Sequence, residues 1–402
     1  MSRRVVITGL GFVSSLGLDA SSTWARMLEG DCGLGQLTKL DLPLEPSQVV
    51  AEVHLPEDES VAHHTTDCER MALMSLGEAL LTTGGREGLN PRRMGVFQGA
   101  GTSGLPASEA YLMRRRDGLP RTQLGAANAI YQSPTIITDR LAVHLGATGP
   151  RSTVMNACSS SLLAMGQAFE RIAAGELDLA VAGGAESFCI TTYAGFSSLR
   201  AMDPEPCRPF SRDRVGLNLG EGSAQFILEP LDRALARGAD IFAEVLGYGA
   251  SLDAHHPTAP HPEGEGAARA ICRAMASAHL NPADVDLVSA HGTATPANDG
   301  AETAAIKTAL GKAAQRVSVT STKSQFGHTL GASGAVGAFA AVMALRDSVV
   351  SPTLRLEDPD PVCDLDYTPL QAKVRSVRAA LVNAFAFGGN NVCLALRRWE
   401  GK

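Results

Sequence analysis

The 402-residue sequence predicts a mixed α/β fold built from two related halves. Three observations carry that expectation. Buried-strand patterns alternate with helical ones along the chain, the helical stretches are rich in alanine and glycine, and VITGLGFVSSLG near the start has a loose counterpart in AEVLGYGASLDA near residue 243. The halves are placed at residues 1–240 and 241–402. A chain of this size has room for a substantial core in each.

VVITGLG reads as a buried strand closed by a glycine turn, and residues 69–83 mix small and apolar side chains at helical spacing. MGVFQGAG, at 94–101, returns to a strand, and ANAIYQSPTIITDRLAVHLG reads as a loop leading into a helix. The clearest unit comes next. A small-residue helix opens at Cys158 and runs to about Ala174, followed by LDLAVAGGAES as a strand entering a loop. In the second half GAARAICRAMASAHL is a helix, VDLVSAHG a strand and SGAVGAFAAVMALRD another helix. Ala164, Gly166, Ala168 and Ala173 in the helix after Cys158, and Ala332, Gly334, Ala335 and Gly337 after His328, permit close approach of neighbours. Both helices are therefore expected at the centre.

Composition removes several functional classes. The formal net charge is −7 and no basic aromatic module appears, which argues against nucleic-acid binding. No apolar run reaches the roughly twenty residues of a membrane-spanning helix. The short apolar run after Arg3 and Arg4 is broken by Gly9 and Gly11 and lacks a cleavage-like segment, so it reads as a first strand, and a cytoplasmic location is expected. The eight cysteines are scattered with no CxxC pair, as free thiols are, and form neither a disulfide framework nor a metal site.

Three reactive side chains stand where a strand or small-residue loop gives way to a turn or helix: Cys158 in NACSSSLLAMGQAF, His291 in DLVSAHGTATPAND and His328 in STKSQFGHTLGASGAVGAF. A cysteine at a helix N-terminus faces unpaired N–H groups and the positive end of the dipole, which favour the thiolate. Beside His291, Gly292 permits a sharp approach, and Thr293 and Thr295 supply hydroxyls for backbone or substrate. Lys323 lies five residues before His328 and raises the cost of a second positive charge, so the imidazole is expected neutral and hydrogen-bond donating. Glu302 offers Lys323 a partner, with a surface salt bridge elsewhere as the other reading, and chain spacing does not choose between them. One thiol and two imidazoles meeting at strand ends suit acyl-thioester chemistry.

NACSSS around Cys158, HGTATPAND from His291, KSQFGH from Lys323 to His328 and the late NAFAFGGNN together resemble the beta-ketoacyl-acyl-carrier-protein synthases. The resemblance extends from VVITGLG to the C-terminal strand. It implies a thiolase-like fold, two similar halves in α/β/α/β/α layers, as a homodimer or as a heterodimer with a homologous subunit. It further implies that Cys158 is the acylated nucleophile, His291 and His328 the decarboxylation pair, and Lys323 with Glu302 a supporting ion pair. Phe387 resembles an aromatic gate, on a loop running from Phe385 through Gly388 to Gly389, and the N–H groups of Cys158 and Phe387 an oxyanion hole. The implied reaction is decarboxylative Claisen condensation of the acyl-cysteine with malonyl-carrier protein in fatty acid biosynthesis. It needs no bound cofactor; phosphopantetheine arrives on the acyl-carrier protein. Arg70, Arg200 and the cluster Arg114, Arg115 and Arg116 are the expected docking positions for that acidic carrier.

Ala294, Asn390 and Ala386 depart from the family's commonest wording, where glycine or serine, threonine, and glycine stand respectively. Gate motion or acyl selectivity is expected to differ accordingly. A specialised type II polyketide or polyene ketosynthase is the alternative pathway. Coenzyme-A-dependent initiating synthases and thiolases are disfavoured, because their reactive sets are Cys-His-Asn or Cys-His-Cys. A chain-length-factor-like partner subunit, the non-enzyme alternative, is disfavoured because such subunits commonly lack the cysteine.

Overall fold

The computed structural model describes residues 3–40, 49–57, 65–83, 88–120 and 132–401. Ten strands form one mixed sheet: β1 (Val5–Ser14), β2 (Met94–Gly99), β3 (Arg151–Val154), β4 (Leu179–Glu186), β5 (Gly222–Pro230), β6 (Ala243–Leu252), β7 (Leu287–Ser289), β8 (Ser318–Thr320), β9 (Ala379–Ala386) and β10 (Asn390–Arg397). Their spatial order is β8-β7-β9-β10-β6-β1-β5-β4-β2-β3.

The duplication is visible in that order. Counting outward from the centre, the first half runs β1-β5-β4-β2-β3 and the second β6-β10-β9-β7-β8, so each half has its first, fifth, fourth, second and third strands in sequence. Directions match as well. In each half the two inner pairings are antiparallel and the two outer ones parallel. The halves meet where Val5, Val6 and Ile7 pair with Val245, Glu244 and Ala243, the two segments whose likeness the sequence already shows.

Helices make the layers. The Ser160–Ala173 and Ser333–Asp347 helices each touch strands of both halves, whereas Asp67–Thr82 packs on β1, β5 and β4 and Glu265–Ser277 on β6, β10 and β9. The first pair is the expected central layer. Every residue from Ser333 to Leu345 is buried, which a helix tolerates only when it is apolar all round. Gly334 seats on Leu162, and the Ser161 hydroxyl accepts the Ala335 N–H at 2.9 Å, tying the two inner helices together.

The first strand differs from expectation. Gly9 and Gly11 do not turn the chain; β1 continues through both to Ser14 with every residue buried. Their role is close approach: a Cβ on Gly9 would stand 2.3 Å from the Ala79 carbonyl oxygen, and one on Gly11 1.9 Å from that of Ser75. The helix anticipated before residue 145 spans Ile136–Leu145, while the loop segment through Tyr131 lies outside the described residues. Among the described residues no helix is long and apolar enough to cross a membrane. All eight cysteines are free.

Candidate active site

The nucleophile turn is built by short polar side chains. Cys158 sits in a single tight turn, Ala157–Ser159, and the long helix opens only at Ser160. The Ser160 hydroxyl accepts the Asn156 N–H at 2.8 Å and donates to the Ala157 carbonyl at 2.6 Å, and Asn156 Nδ2 donates to Ser159 Oγ at 3.0 Å. These bonds hold Ala157 at φ +49°, a left-handed conformation costing on the order of 1–3 kcal/mol in a non-glycine residue. The strained step turns Cys158 toward the cavity rather than into the helix.

His291 follows β7 and His328 follows the short Lys323–Phe326 helix. Their rings lie edge to face with centroids 5.4 Å apart, and His328 Nε2 is 3.0 Å from Cys158 Sγ. The Leu330 N–H points at His328 Nδ1 at 3.2 Å, so that nitrogen accepts and the neutral ring carries its proton on Nε2. Lys323 Nζ lies 3.4 Å from His291 Nδ1 and donates to the His291 carbonyl, which fixes the same tautomer there. Both rings therefore present an N–H to the cavity. Cys158 Sγ and one nitrogen of each ring fall within 4.8 Å of one another, a spacing that a metal also accepts.

Electrostatics agree with two neutral donors. Burial, then the Lys323 charge, holds both imidazoles well below their ordinary range, with His328 adding to the effect on His291. Burial likewise pulls Lys323 down to about 8 against the field of Glu302. The thiol contradicts expectation. Burial pushes Cys158 up to about 11, against the Lys323 charge and the N–H groups of Phe387 and Cys158 itself, which both face the sulfur. The resting residue is a thiol, because the helix end is set back by two residues and desolvation outweighs its dipole.

The expected Lys323–Glu302 ion pair is also replaced. Glu302, 1% exposed, accepts the N–H groups of His291 at 2.8 Å and Gly292 at 2.7 Å, and Asn383 Nδ2 at 3.1 Å. Lys323 takes the carbonyl of the same histidine. The two charges grip opposite ends of His291 without touching, an arrangement that chain spacing cannot reveal.

A cavity of about 330 Å³ opens over the three reactive side chains, and Thr293, Thr295, Phe385 and Phe387 line it. Thr293 Oγ1 and Thr295 Oγ1 are 2.9 Å apart, and Thr295 caps the Pro296–Leu310 helix through the Asn298 N–H. Phe387 stacks on Phe196 at 5.7 Å. Gly388 and Gly389 take φ +81° and +74°, and the Gly388 N–H donates to Pro257 O at 2.7 Å while Asp253 N–H donates to Gly389 O at 2.8 Å. A second loop thus clamps the Phe387 turn.

Arg200 alone of the five arginines lines this cavity. Arg70 is ion-paired to Asp67 at 3.6 Å and donates to Pro56 O. Arg114, Arg115 and Arg116 end the exposed Leu105–Arg116 helix, and Arg114 borders a separate cavity with Lys39, Asp67 and Glu221.

Residues 2–234 match the beta-ketoacyl synthase N-terminal domain and residues 242–357 the beta-ketoacyl synthase C-terminal domain. The chain belongs to the beta-ketoacyl synthase family. It is 39% identical to 3-oxoacyl-[acyl-carrier-protein] synthase 2 of Synechocystis sp., over 99% of each chain. It is 40% identical to Nodulation protein E of Rhizobium sp., over 99% of this chain and 100% of that one. A solved structure, the ishigamide ketosynthase/chain length factor, superposes with a TM-score of 0.94 at 32% identity, covering 99% of this chain and 100% of that chain. The protein is a condensing enzyme of the ketoacyl-synthase type, with the thiolase-like architecture of two similar halves.

Of the three residues set apart in the sequence, Ala294 takes a left-handed φ of +64°, whereas Ala386 is tolerated at rest without strain. Its φ of −131° is extended backbone, paired with Asn390 at the end of β9, so the methyl group meets no conformational penalty. Sequence reasoning passed over Phe196, Asp253 and Asn383. None carries a local signature: an aromatic in a helix, an aspartate in a loop and an asparagine in a strand become site residues only through long-range contact.

Proposed function

We propose that this synthase elongates acyl chains in cytoplasmic fatty acid biosynthesis by decarboxylative condensation of an acyl-cysteine with malonyl-carrier protein. The observation that carries the reading is the convergence of one thiol, two Nε2–H donors and two sulfur-facing backbone N–H groups in one cavity. Cys158 Sγ attacks the acyl thioester carbonyl, and the N–H groups of Cys158 and Phe387 receive the developing oxyanion. The carrier's sulfur leaves with a proton equivalent to the one the thiol gives up, so acylation is balanced without a resident base.

Malonyl thioester then enters. Its carboxylate departs as CO₂, and the electron pair moves onto the thioester oxygen, where the Nε2–H groups of His291 and His328 converge. Each preorganised donor contributes on the order of 2–4 kcal/mol to that enolate. The carbanion attacks the acyl-cysteine, the beta-ketoacyl thioester leaves, and the released sulfur takes up one proton. Thr293 and Thr295 line the path, Phe387 against Phe196 gates it, and Arg200 steers the acidic carrier to the rim. The other arginines contribute to the approach field. A dimer is the assembly we assign, with phosphopantetheine supplied only by the carrier.

A second reading, a specialised polyketide or polyene ketosynthase working with a homologous subunit, draws support from the likeness to a ketosynthase/chain length factor structure and from Ala386 in the gate. One experiment tests both. The protein is incubated with acyl-carrier proteins bearing a panel of acyl chains and then with malonyl-carrier protein, with intact-mass detection of Cys158 acylation and of products. Saturated beta-ketoacyl products over several lengths support elongation in fatty acid synthesis, and turnover that requires a homologous partner supports the second reading. Acylation that persists in Cys158→Ala rejects both.

A further inference from the structure

Glu302 is not the only buried carboxylate that collects backbone N–H groups beside this cavity. Glu186, the last residue of β4, is fully buried. One of its oxygens accepts the Thr102 N–H at 2.9 Å and the Thr102 hydroxyl; the other accepts the Gly101 N–H at 2.6 Å and the Gly331 N–H at 3.0 Å. Gly331 follows Leu330, whose N–H fixes the His328 tautomer. Gly101 follows Ala100, whose carbonyl lies 3.4 Å from the Ser160 hydroxyl oxygen, the group that organises the Cys158 turn and gives its proton to Ala157.

Three segments therefore meet on one side chain, and they meet closely. A Cβ on Gly331 would lie 2.3 Å from the Gly101 nitrogen, and one on Gly101 2.6 Å from the Glu186 carboxylate. Nothing but glycine fits either position without displacement.

We propose that Glu186 is a positioning residue that sets the His328 turn against the Cys158 turn, doing in the first half what Glu302 does for His291 in the second. The inference rests on reading the cavity as a condensing site. Burial raises the Glu186 carboxyl, while the donors of Thr102, Gly101 and Gly331 oppose that shift and favour the carboxylate, whose charge supplies a signature that packing alone lacks. Among the described residues His291 and His328 lie against Cys158 and the charges of Lys323 and Glu186 act on it, and Cys68 shares the field of Glu186. Lys323 opposes the raised thiol value, whereas Glu186 contributes to it. Removing the anion should thus ease ionisation of Cys158 while loosening the donor that the second half-reaction needs.

The test compares Glu186→Gln and Glu186→Asp with the parent by three measurements: the pH dependence of Cys158 alkylation by a small neutral reagent without substrate, steady-state condensation, and thermal unfolding. For Glu186→Gln the alkylation profile moves to lower pH while kcat for condensation falls at least tenfold, with KM for the carrier substrate within twofold. Glu186→Asp keeps the charge but cannot span Gly101 and Gly331, so it loses kcat comparably with its alkylation profile in place. Condensation at the parent rate in either variant overturns the proposal, as does a parallel fall of alkylation and condensation that tracks lowered thermal stability. If Glu186→Gln does not fold, Glu186→Asp decides alone. A parent protein that alkylates but never condenses refutes the functional reading instead, and an unshifted Glu186→Gln profile then still overturns this inference.

Discussion

His328 Nε2 lies 3.0 Å from Cys158 Sγ while His328 Nδ1 receives the Leu330 N–H, so this imidazole offers the sulfur a proton donor and has no lone pair there to act as a base. The arrangement suits stabilisation of negative charge, on sulfur in one half-reaction and on the enolate in the other. His328→Ala is expected to slow malonyl decarboxylation by about 10²–10³-fold, the usual cost of one preorganised donor. His328→Gln, which keeps an N–H, recovers part of that loss. Decarboxylation at the parent rate in His328→Ala, with Cys158 acylation abolished, would instead mark a general base.

Cys158 alkylation by a neutral reagent should climb steadily from pH 7 to 9 with no plateau, because burial holds the thiol up to about 11. Lys323 opposes that shift, so Lys323→Met slows alkylation several-fold at pH 7.5. A rate already level by pH 7 would mean that the thiolate is the resting form.

Lys323 also links stability to pH. Burial lowers it from 10.5 to about 8, so between those values the unfolded chain binds the additional proton. Stability from this group is complete above 10.5 and is lost as pH falls through 8. The advantage of Lys323→Met over the parent therefore shrinks as pH rises across this window, by on the order of 3 kcal/mol in all. Urea unfolding of both proteins at pH 7.5 and 10 measures it, and a pH-independent difference would show that the ammonium is not desolvated.

Periodicity and composition made the strands, the inner helices and the three reactive residues readable in the sequence, because each depends on local pattern. Long-range pairing was not readable in this way. Gly9 and Gly11 punctuate VVITGLG as turn glycines do, yet they exist to admit the carbonyls of Ala79 and Ser75, which lie more than sixty residues away. Cys158 looked like a helix-end thiolate because serines follow it, but burial, which no local pattern states, reverses the sign. The family resemblance implied that Lys323 and Glu302 form an ion pair; the His291 peptide between them absorbs both. The family resemblance supplied roles for residues, and contacts such as those of Glu186 had no local motif to announce them.

Glu302→Ala leaves the N–H groups of His291 and Gly292 and the Asn383 amide without their buried acceptor. Leaving a buried donor unsatisfied typically costs about 1–3 kcal/mol, so the variant should unfold at markedly lower denaturant. Glu302→Gln keeps one acceptor and should lose less. Condensation falls in both, and alkylation of Cys158 slows as well, because Lys323 loses the field that keeps it charged and with it the cation that favours the thiolate.

Ala386 is compatible with the stacking of Phe387 on Phe196 because its backbone is extended, and its neighbours Gly388 and Gly389 already carry the positive φ angles of the turn. A methyl group there restricts any rearrangement that swings Phe387 away from Phe196 through a left-handed conformation at residue 386. Ala386→Gly should cost no more than about 1 kcal/mol in stability, since nothing in the resting contacts depends on the methyl. Its effect is expected in acylation kinetics: faster loading of Cys158 from long acyl-carrier substrates, with short chains little changed. Stopped-time intact-mass measurements across the chain series read the difference directly, and uniform rates at all lengths would show that the gate opens without moving this residue.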